Sequence, residues 1–513
     1  MNKALKSAVA LLLVFVLNIG IFAMPAAAAT AAYENDLPIV YMRGATRKVY
    51  DKNGNQVWPV KKSITDILME NSGDLLSALS QSMLTSDWSI YGDALAKALK
   101  KEFSPGTLDK NGNPKKGTAI KKSAAPKKKT SDFKLGDYIF NYDPRLDPWE
   151  IADDLSDYIN AVLKATGKKK IQLVARCMGS CMASAYLCKY GSSKVDTCIY
   201  YASAARGSMV CGELFAGKIS FDSENLNDYA NEYMGDDEIS ELLAAVVNVT
   251  YTLNLLGEGT AIIDEIYQQL AVEVFPKLLR TTYANMPAYW AMVNEDYFEE
   301  AKSFVFGGGY EEVYKGLIEK IDSYHENVML RLEKDLKTFN KNGMKIIVLA
   351  KYGTPFPPYL ECQRIQGDAK ISIEDISFGA VGADIGTVFS LDYLESAKKS
   401  GTIDFISDDL VVDASTCLFP QYTWFVRDIE HGTFPPSINT MFMEFLHRKK
   451  QVTVNTFEEY PRYMTYSYEE DSLSPVTYAP PTGDTGTTNP LLNLVNMLKN
   501  FLSFILNFFS LLM

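Results

Sequence analysis

The chain has 513 residues, 47% of them apolar, with 63 acidic against 51 basic side chains and a net charge of −12 at pH 7. That length and apolar share suit one large core with an insertion, or two domains. The acidic balance argues against a nucleic-acid partner.

The first 29 residues begin with Lys3 and Lys6, continue through an apolar run and end in small residues, Ala26 to Ala29. This order predicts a secretory signal peptide over 1–29 and an exported, extracellular protein. Losing Lys3 and Lys6 from the 51 basic residues leaves 49 against 63 acidic, a charge near −14. Seven cysteines, Cys177, Cys181, Cys188, Cys198, Cys211, Cys362 and Cys417, are an odd number for an exported chain, so at least one stays a free thiol or pairs outside the molecule. Cys362 and Cys417 are the expected disulfide pair.

From 33 to 210 the pattern predicts the first part of an α/β core. Pro38 to Thr46 reads as a buried strand entering a glycine turn at Gly44. Asp51 to Pro59 and Asp109 to Asn113 share an Asp-Lys-Asn-Gly-Asn core. Gly falls too early for a calcium loop, so Asn-Gly turns are expected, with no metal or cofactor. Residues 101–130 hold nine lysines against two acids and read as a solvated loop, with a patch that touches an anionic surface as the alternative. Asp137 to Tyr142 is a second strand. It leads to a helix capped by Asp147 and opened by Pro148, with Ile151, Leu155, Ile159 and Val162 on one face and Gly167 at the end.

A third apolar run, Ile171 to Val174, then meets Ala175-Arg-Cys-Met-Gly179, followed by small and apolar residues at helical spacing. Strand, one-residue corner and helix form the layout of a nucleophile elbow, whose usual pattern is G-x-S-x-G. Here Ala175 and Gly179 keep the small flanks and Cys177 takes the nucleophile's place. Another strand, Asp196 to Ala202, completes strand–helix–strand–helix–strand, the pattern of a parallel sheet.

Residues 211–343 break the alternation with helical patterns and predict an inserted cap. The sheet resumes at Met344 to Ala350 and runs to about 450. The chain order nucleophile, acid, base is met by Cys177, the pair Asp408/Asp409 and His431. Of the three histidines, His325 lies in a helical run of the cap and His447 in the last turn of a helix. His431 alone follows a strand and opens a loop.

With these pieces in order, the chain resembles the lecithin:cholesterol acyltransferase family of α/β-hydrolases and, more loosely, bacterial triacylglycerol lipases. The resemblance rests on Tyr142-Asp-Pro-Arg-Leu-Asp-Pro148, where the family has Tyr-Asp-Trp-Arg-Leu. It rests also on the elbow, on Tyr352-Gly-Thr-Pro355, and on Ser407-Asp-Asp-Leu-Val411 beside the family's Gly-Asp-x-x-Val acid motif. It covers about 36–210 and 345–450. It implies an α/β-hydrolase fold, Asp408 as the acid, His431 as the base and ester or acyl substrates, lipid among them. Three positions depart from the family: Cys177 for Ser, Arg176 for His or Tyr, and Arg43-Gly44-Ala45 at the first oxyanion motif.

The expected chemistry is a covalent acyl-enzyme on Cys177, in hydrolysis or acyl transfer, with the Met178 and Ala45 N–H groups as the oxyanion hole. The competing reading is a binding protein on a hydrolase scaffold with its chemistry lost. Residues 451–490 read as a Tyr-, Pro- and Gly-rich linker. The apolar stretch 491–513 carries a stripe of Asn and Ser and predicts an amphipathic helix that meets a membrane face or self-associates.

Overall fold

The computed structural model describes residues 34–45, 47–220, 222–225 and 274–477, together with positions 227, 268 and 272. The expected signal peptide, the middle of the cap and the C-terminal helix lie outside the described residues.

Eight strands build the main sheet: β1 (Ile39–Met42), β2 (Tyr138–Phe140), β3 (Ile171–Cys177), β4 (Val195–Ser203), β5 (Lys345–Tyr352), β6 (Thr423–Arg427), β7 (Tyr463–Ser467) and β8 (Ser472–Pro475). Their spatial order is β8-β7-β6-β5-β4-β3-β1-β2. Every pair is parallel except β7–β8. Parallel strands with helices on both faces must be apolar on both sides, and all eight residues of β5 are buried. Alternate residues serve opposite faces. Leu173, Tyr200, Ile346 and Val348 join the core under one set of helices, and Val174, Ile199, Ile347 and Leu349 join the other. This is the parallel α/β sheet that the strand–helix alternation predicts, in the α/β-hydrolase fold that the resemblance implies.

Helix α2 (Pro148–Thr166) starts where expected, with Asp147 accepting the Trp149 N–H at 2.9 Å, and stops at Gly167 in the left-handed region. It packs on α3 (Met178–Tyr190), which leaves β3 directly. The opposite face is covered by α6 (Pro436–Leu446), whose Ile438, Met441 and Phe442 pack with Trp424 and Val426.

Three expectations are corrected. The stretch read as a linker from 451 supplies β7 and β8, so the sheet continues to Pro475. Alternating burial of Met464 and Tyr466 is the strand signal that its many tyrosines obscured. The expected Cys362–Cys417 disulfide is not formed, and all seven cysteines are free. Cys362 faces Glu213, and Cys417 faces Ser377. Finally, the cap has two sources in the chain. Between β1 and β2 lie helices Ile64–Glu70, Ser72–Thr85 and α1 (Ser89–Phe103), and α1 packs on α5 (Phe275–Thr281). Gly92 permits that approach, since a Cβ there would stand 2.7 Å from Val274 Cγ2.

Candidate active site

The elbow forms because one residue must turn a strand into a helix. Cys177 takes φ 51° and ψ −132°, a left-handed conformation that costs a non-glycine residue of the order of 1–3 kcal/mol. The neighbourhood enforces it. Ser180 Oγ donates to the Cys177 carbonyl at 2.6 Å and accepts the Ala204 N–H at 2.9 Å, tying helix, corner and β4 together. Gly179 has no room for a side chain, as a Cβ would lie 2.8 Å from the Arg43 carbonyl oxygen and 2.9 Å from that of Met42. The small residue after the nucleophile thus lets α3 start against the end of β1.

The loop after β1 lies on the nucleophile. A Cβ on Gly44 would meet Cys177 Cβ at 3.0 Å and Sγ at 3.3 Å. Tyr142, from the Tyr-Asp-Pro-Arg stretch, donates to the Arg43 carbonyl at 2.6 Å and holds the loop in place. Arg145 of the same stretch is fully buried and pairs with Asp143 at 2.7 Å. The Met178 N–H contacts the Cys177 sulfur. Met178 and the Gly44–Ala45 loop therefore flank the thiol from two sides, at the carboxyl ends of β3 and β1. The chain changes direction across the sheet between these strands, which is where open α/β sheets bind ligands.

His431 reaches the elbow from the loop after β6, and its imidazole is hydrogen-bonded with Cys177. Its Nδ1 lies 2.6 Å from Asp368 Oδ2, which leaves Nε2 for the sulfur. Asp368 is fully buried, and its other oxygen accepts the N–H groups of Ile371 at 2.9 Å and Lys370 at 3.2 Å. The sequence-predicted Asp408 is exposed and is not the partner of His431. Its neighbour Asp409 is buried in a structural role. It accepts from Tyr352 Oη at 3.0 Å and Arg427 at 3.1 Å, binding the ends of β5 and β6. The acid thus sits in the loops that follow β5. A signal for it was present: Gly367-Asp-Ala-Lys-Ile371 fits Gly-Asp-x-x-Val more closely than Ser407-Asp-Asp-Leu-Val411 does.

Charge follows the geometry. Burial alone would push the Cys177 thiol up, but His431, its hydrogen bond, the Met178 N–H and Arg176 together hold it below its usual range. Burial would likewise lower His431, yet Asp368 and Cys177 raise it to about 9. Asp368 is kept below the usual carboxylate range despite burial, mainly by His431 and then Lys351. Both shifts favour a thiolate–imidazolium pair braced by a carboxylate over the neutral thiol and imidazole.

Two cations that pattern reading did not assign this role hold the histidine loop. Lys351, fully buried on β5, donates to the carbonyls of Glu430 at 2.7 Å, His431 at 3.1 Å and Thr433 at 2.8 Å. Arg176 donates to the His431 carbonyl at 3.3 Å and to that of Gly432. Four consecutive carbonyls are thereby satisfied, and Tyr201 Oη adds a further bond to Thr433 at 2.5 Å. His325 lies elsewhere, buried against Phe298 and paired with Glu295. His447 ends α6. Among the described residues, no three His, Cys, Asp or Glu side chains converge as metal ligands.

The alpha/beta hydrolase fold family matches residues 120–215, a span that contains β2, β3, the elbow and β4. No curated protein matches. Among solved structures, a meta-cleavage product hydrolase from Pseudomonas fluorescens IP01 is 11% identical, with 64% of this chain and 76% of that one covered and a TM-score of 0.18. A second meta-cleavage product hydrolase structure is 14% identical over 39% of this chain, with a TM-score of 0.14, and this chain spans about half of its length, 53%. The esterase RhEst1 from Rhodococcus sp. ECU1013 is 11% identical over 56% of this chain and 91% of its own, with a TM-score of 0.15. At these scores the likenesses carry no argument about chemistry, which rests on this chain's own atoms.

Proposed function

We propose that the protein hydrolyses carboxylic esters through an acyl-thioester on Cys177. The observation that carries this reading is the relay Cys177–His431–Asp368 at a strained elbow, closed by the 2.6 Å bond from His431 to Asp368.

The steps follow from the charges. The Cys177 thiolate attacks the ester carbonyl, and a carbon–sulfur bond forms as the carbonyl oxygen takes the electron pair. The Met178 N–H and the Gly44–Ala45 loop stand where that oxygen would develop its charge. Collapse expels the alkoxide, which takes the proton of the His431 imidazolium. Neutral His431 then removes a proton from water, hydroxide attacks the thioester, and the departing thiolate restores the ion pair. An alcohol in place of water gives acyl transfer with the same proton balance. Asp368 holds Nδ1 protonated, so that Nε2 faces the reacting atoms.

The substrate class is an acyl or lipid ester. Buried Tyr142 and Tyr289 both lie near Cys177, surroundings suited to an apolar acyl group.

A short-chain aryl ester tests the reading. Cys177→Ala is expected to abolish turnover, and Cys177→Ser to leave a small remnant. Mass spectrometry of the quenched wild-type protein should find an acyl group on the Cys177 peptide that neutral hydroxylamine removes. Undiminished turnover in Cys177→Ala overturns the reading.

A further inference from the structure

Two adjoining cavities lie in the seam between α1 and α5, away from the elbow. The wider, about 740 Å³, opens past Lys97, Lys101 and Asp93. The narrower, about 310 Å³, is lined by Lys100, Lys115, Lys277 and Arg280, with hydroxyl-bearing residues between them and no carboxylate in its lining. A chain of net charge −12 has gathered four cations around one small cavity.

The cations are held in place. Lys115 donates to the Ser104 carbonyl and to Thr107 Oγ1 at 3.0 Å. Arg280 donates to the Val305 carbonyl and stacks 3.8 Å over the Tyr310 ring. Lys277 pairs with exposed Asp93 at the rim, and Lys100 is exposed at the mouth. Asn285, 7% exposed, also lines the cavity. Burial, and then Arg145 and Lys100, hold Lys115 below its usual range, and burial does the same to Arg280. Like charges partly stripped of water cost free energy that a bound anion would recover.

We propose that this cavity binds a small phosphate-bearing ligand, a diphosphate or a phosphate monoester, at a site separate from Cys177. The volume is at the small end of ligand pockets, roughly 300–1,000 Å³. Three ammonium groups, a guanidinium and hydroxyls lining one cavity suit a tetrahedral, multiply charged group better than a flat carboxylate with two oxygens. An aromatic block separates cavity and elbow. Phe103 packs edge-on to Tyr283 at 5.7 Å, and Trp58 meets Tyr283 at 5.5 Å and Tyr289 at 6.1 Å. The inference stands on its own whether or not the elbow hydrolyses esters.

Isothermal titration of the full chain with inorganic pyrophosphate tests it, with acetate as the control anion. Pyrophosphate should bind and acetate should not. Lys100→Gln/Lys277→Gln should weaken pyrophosphate by about tenfold or more, the loss of charge-assisted bonds. Lys121→Gln/Lys122→Gln, on the exposed lysine run, should leave it within about twofold if the site is built and not general attraction. Should the first variant melt early, Lys100→Gln alone, at an exposed position on α1, carries the same test. Phosphatidylcholine vesicles carrying phosphatidic acid separate the two sources of the same chemistry. Lysine-dependent vesicle binding assigns a lipid headgroup, and lysine-dependent pyrophosphate binding assigns a soluble phosphate. No binding in either arm, or equal losses in both double variants, overturns the proposal.

Discussion

Cys177, at the corner before α3, and Cys181, in the first turn of α3, stand four residues apart, yet their thiols face opposite physics. Cys181 points into the protein, against the carbonyls of Ala204 at 3.2 Å and Ala291 at 3.8 Å. Burial drives it far above the usual thiol range. Cys177 sits at the corner, where His431, the Met178 N–H and Arg176 overcome the same burial penalty. Desolvation is common to both places. The difference is a charged partner brought from a loop some 250 residues away in the chain. The Cys177 thiol is held below its usual range mainly through the relay that reaches it, and the helix start contributes only part of the effect.

The comparison breaks most severely if the relay is cut at its far end. Asp368→Asn leaves the imidazole without the charge that fixes its tautomer, and kcat/KM should fall roughly 10²–10⁴-fold. Asp408→Asn, at an exposed position off the relay, should stay within about twofold. The measurement is steady-state hydrolysis of the aryl ester, with thermal melts to show that both variants fold. Equal losses in the two variants would take Asp368 out of the relay.

A smaller effect sharpens the contrast between the two thiols. Cys211 is pushed to about 12 by burial, as are Cys188, Cys198 and Cys417, while Cys177 is held below its usual range. A lower-pKa thiolate is more abundant but intrinsically less nucleophilic. At pH 7 iodoacetamide should therefore label Cys177 about a hundredfold faster than Cys181 or Cys211. Its pH profile should inflect below the ordinary thiol range, and His431→Ala should move the inflection up. Uniform labelling across the seven cysteines would dissolve the distinction.

The sequence carried the local half of this site and missed the distributed half. The elbow is legible because its requirements are contiguous: an apolar strand, small residues at 175 and 179, and a helix that begins at once. His431 was legible because the chain has three histidines and a single one follows a strand. The acid was misplaced by 40 positions because a carboxylate in a loop leaves no periodic trace. Asp408 and Asp409 stood in the expected chain order, yet Asp409 bonds strand ends and Asp408 faces solvent. Strand β7 and the edge strand β8 were hidden for a related reason. Half-exposed strands of tyrosine, threonine and serine resemble a linker until their alternation is counted. The roles of Lys351 and Arg176 were invisible, since a backbone carbonyl has no letter in a sequence.

The smallest expected effect concerns Lys351, the buried cation that most directly joins the sheet to the histidine loop. Its three bonds, 2.7 to 3.1 Å long, run from β5 to the carbonyls of Glu430, His431 and Thr433. Burial pushes it down to about 7, while three carbonyls each take a proton that only the ammonium form can supply in full. Lys351→Met keeps the length and apolar stem but removes every donor. Arg176 and Tyr201 would still hold the loop at His431, Gly432 and Thr433, so the loop should loosen without leaving the elbow. Misplacement of a reacting group by about 1 Å costs about 10²-fold, and a partly held loop should lose less, about tenfold in kcat with KM little changed. A loss of packing alone would lower the melting temperature without altering the thiol. The decisive readout is therefore the alkylation profile of Cys177, whose inflection should rise as His431 becomes less well placed. If Lys351→Met slows turnover while that profile stays fixed, Lys351 supports the sheet and not the base.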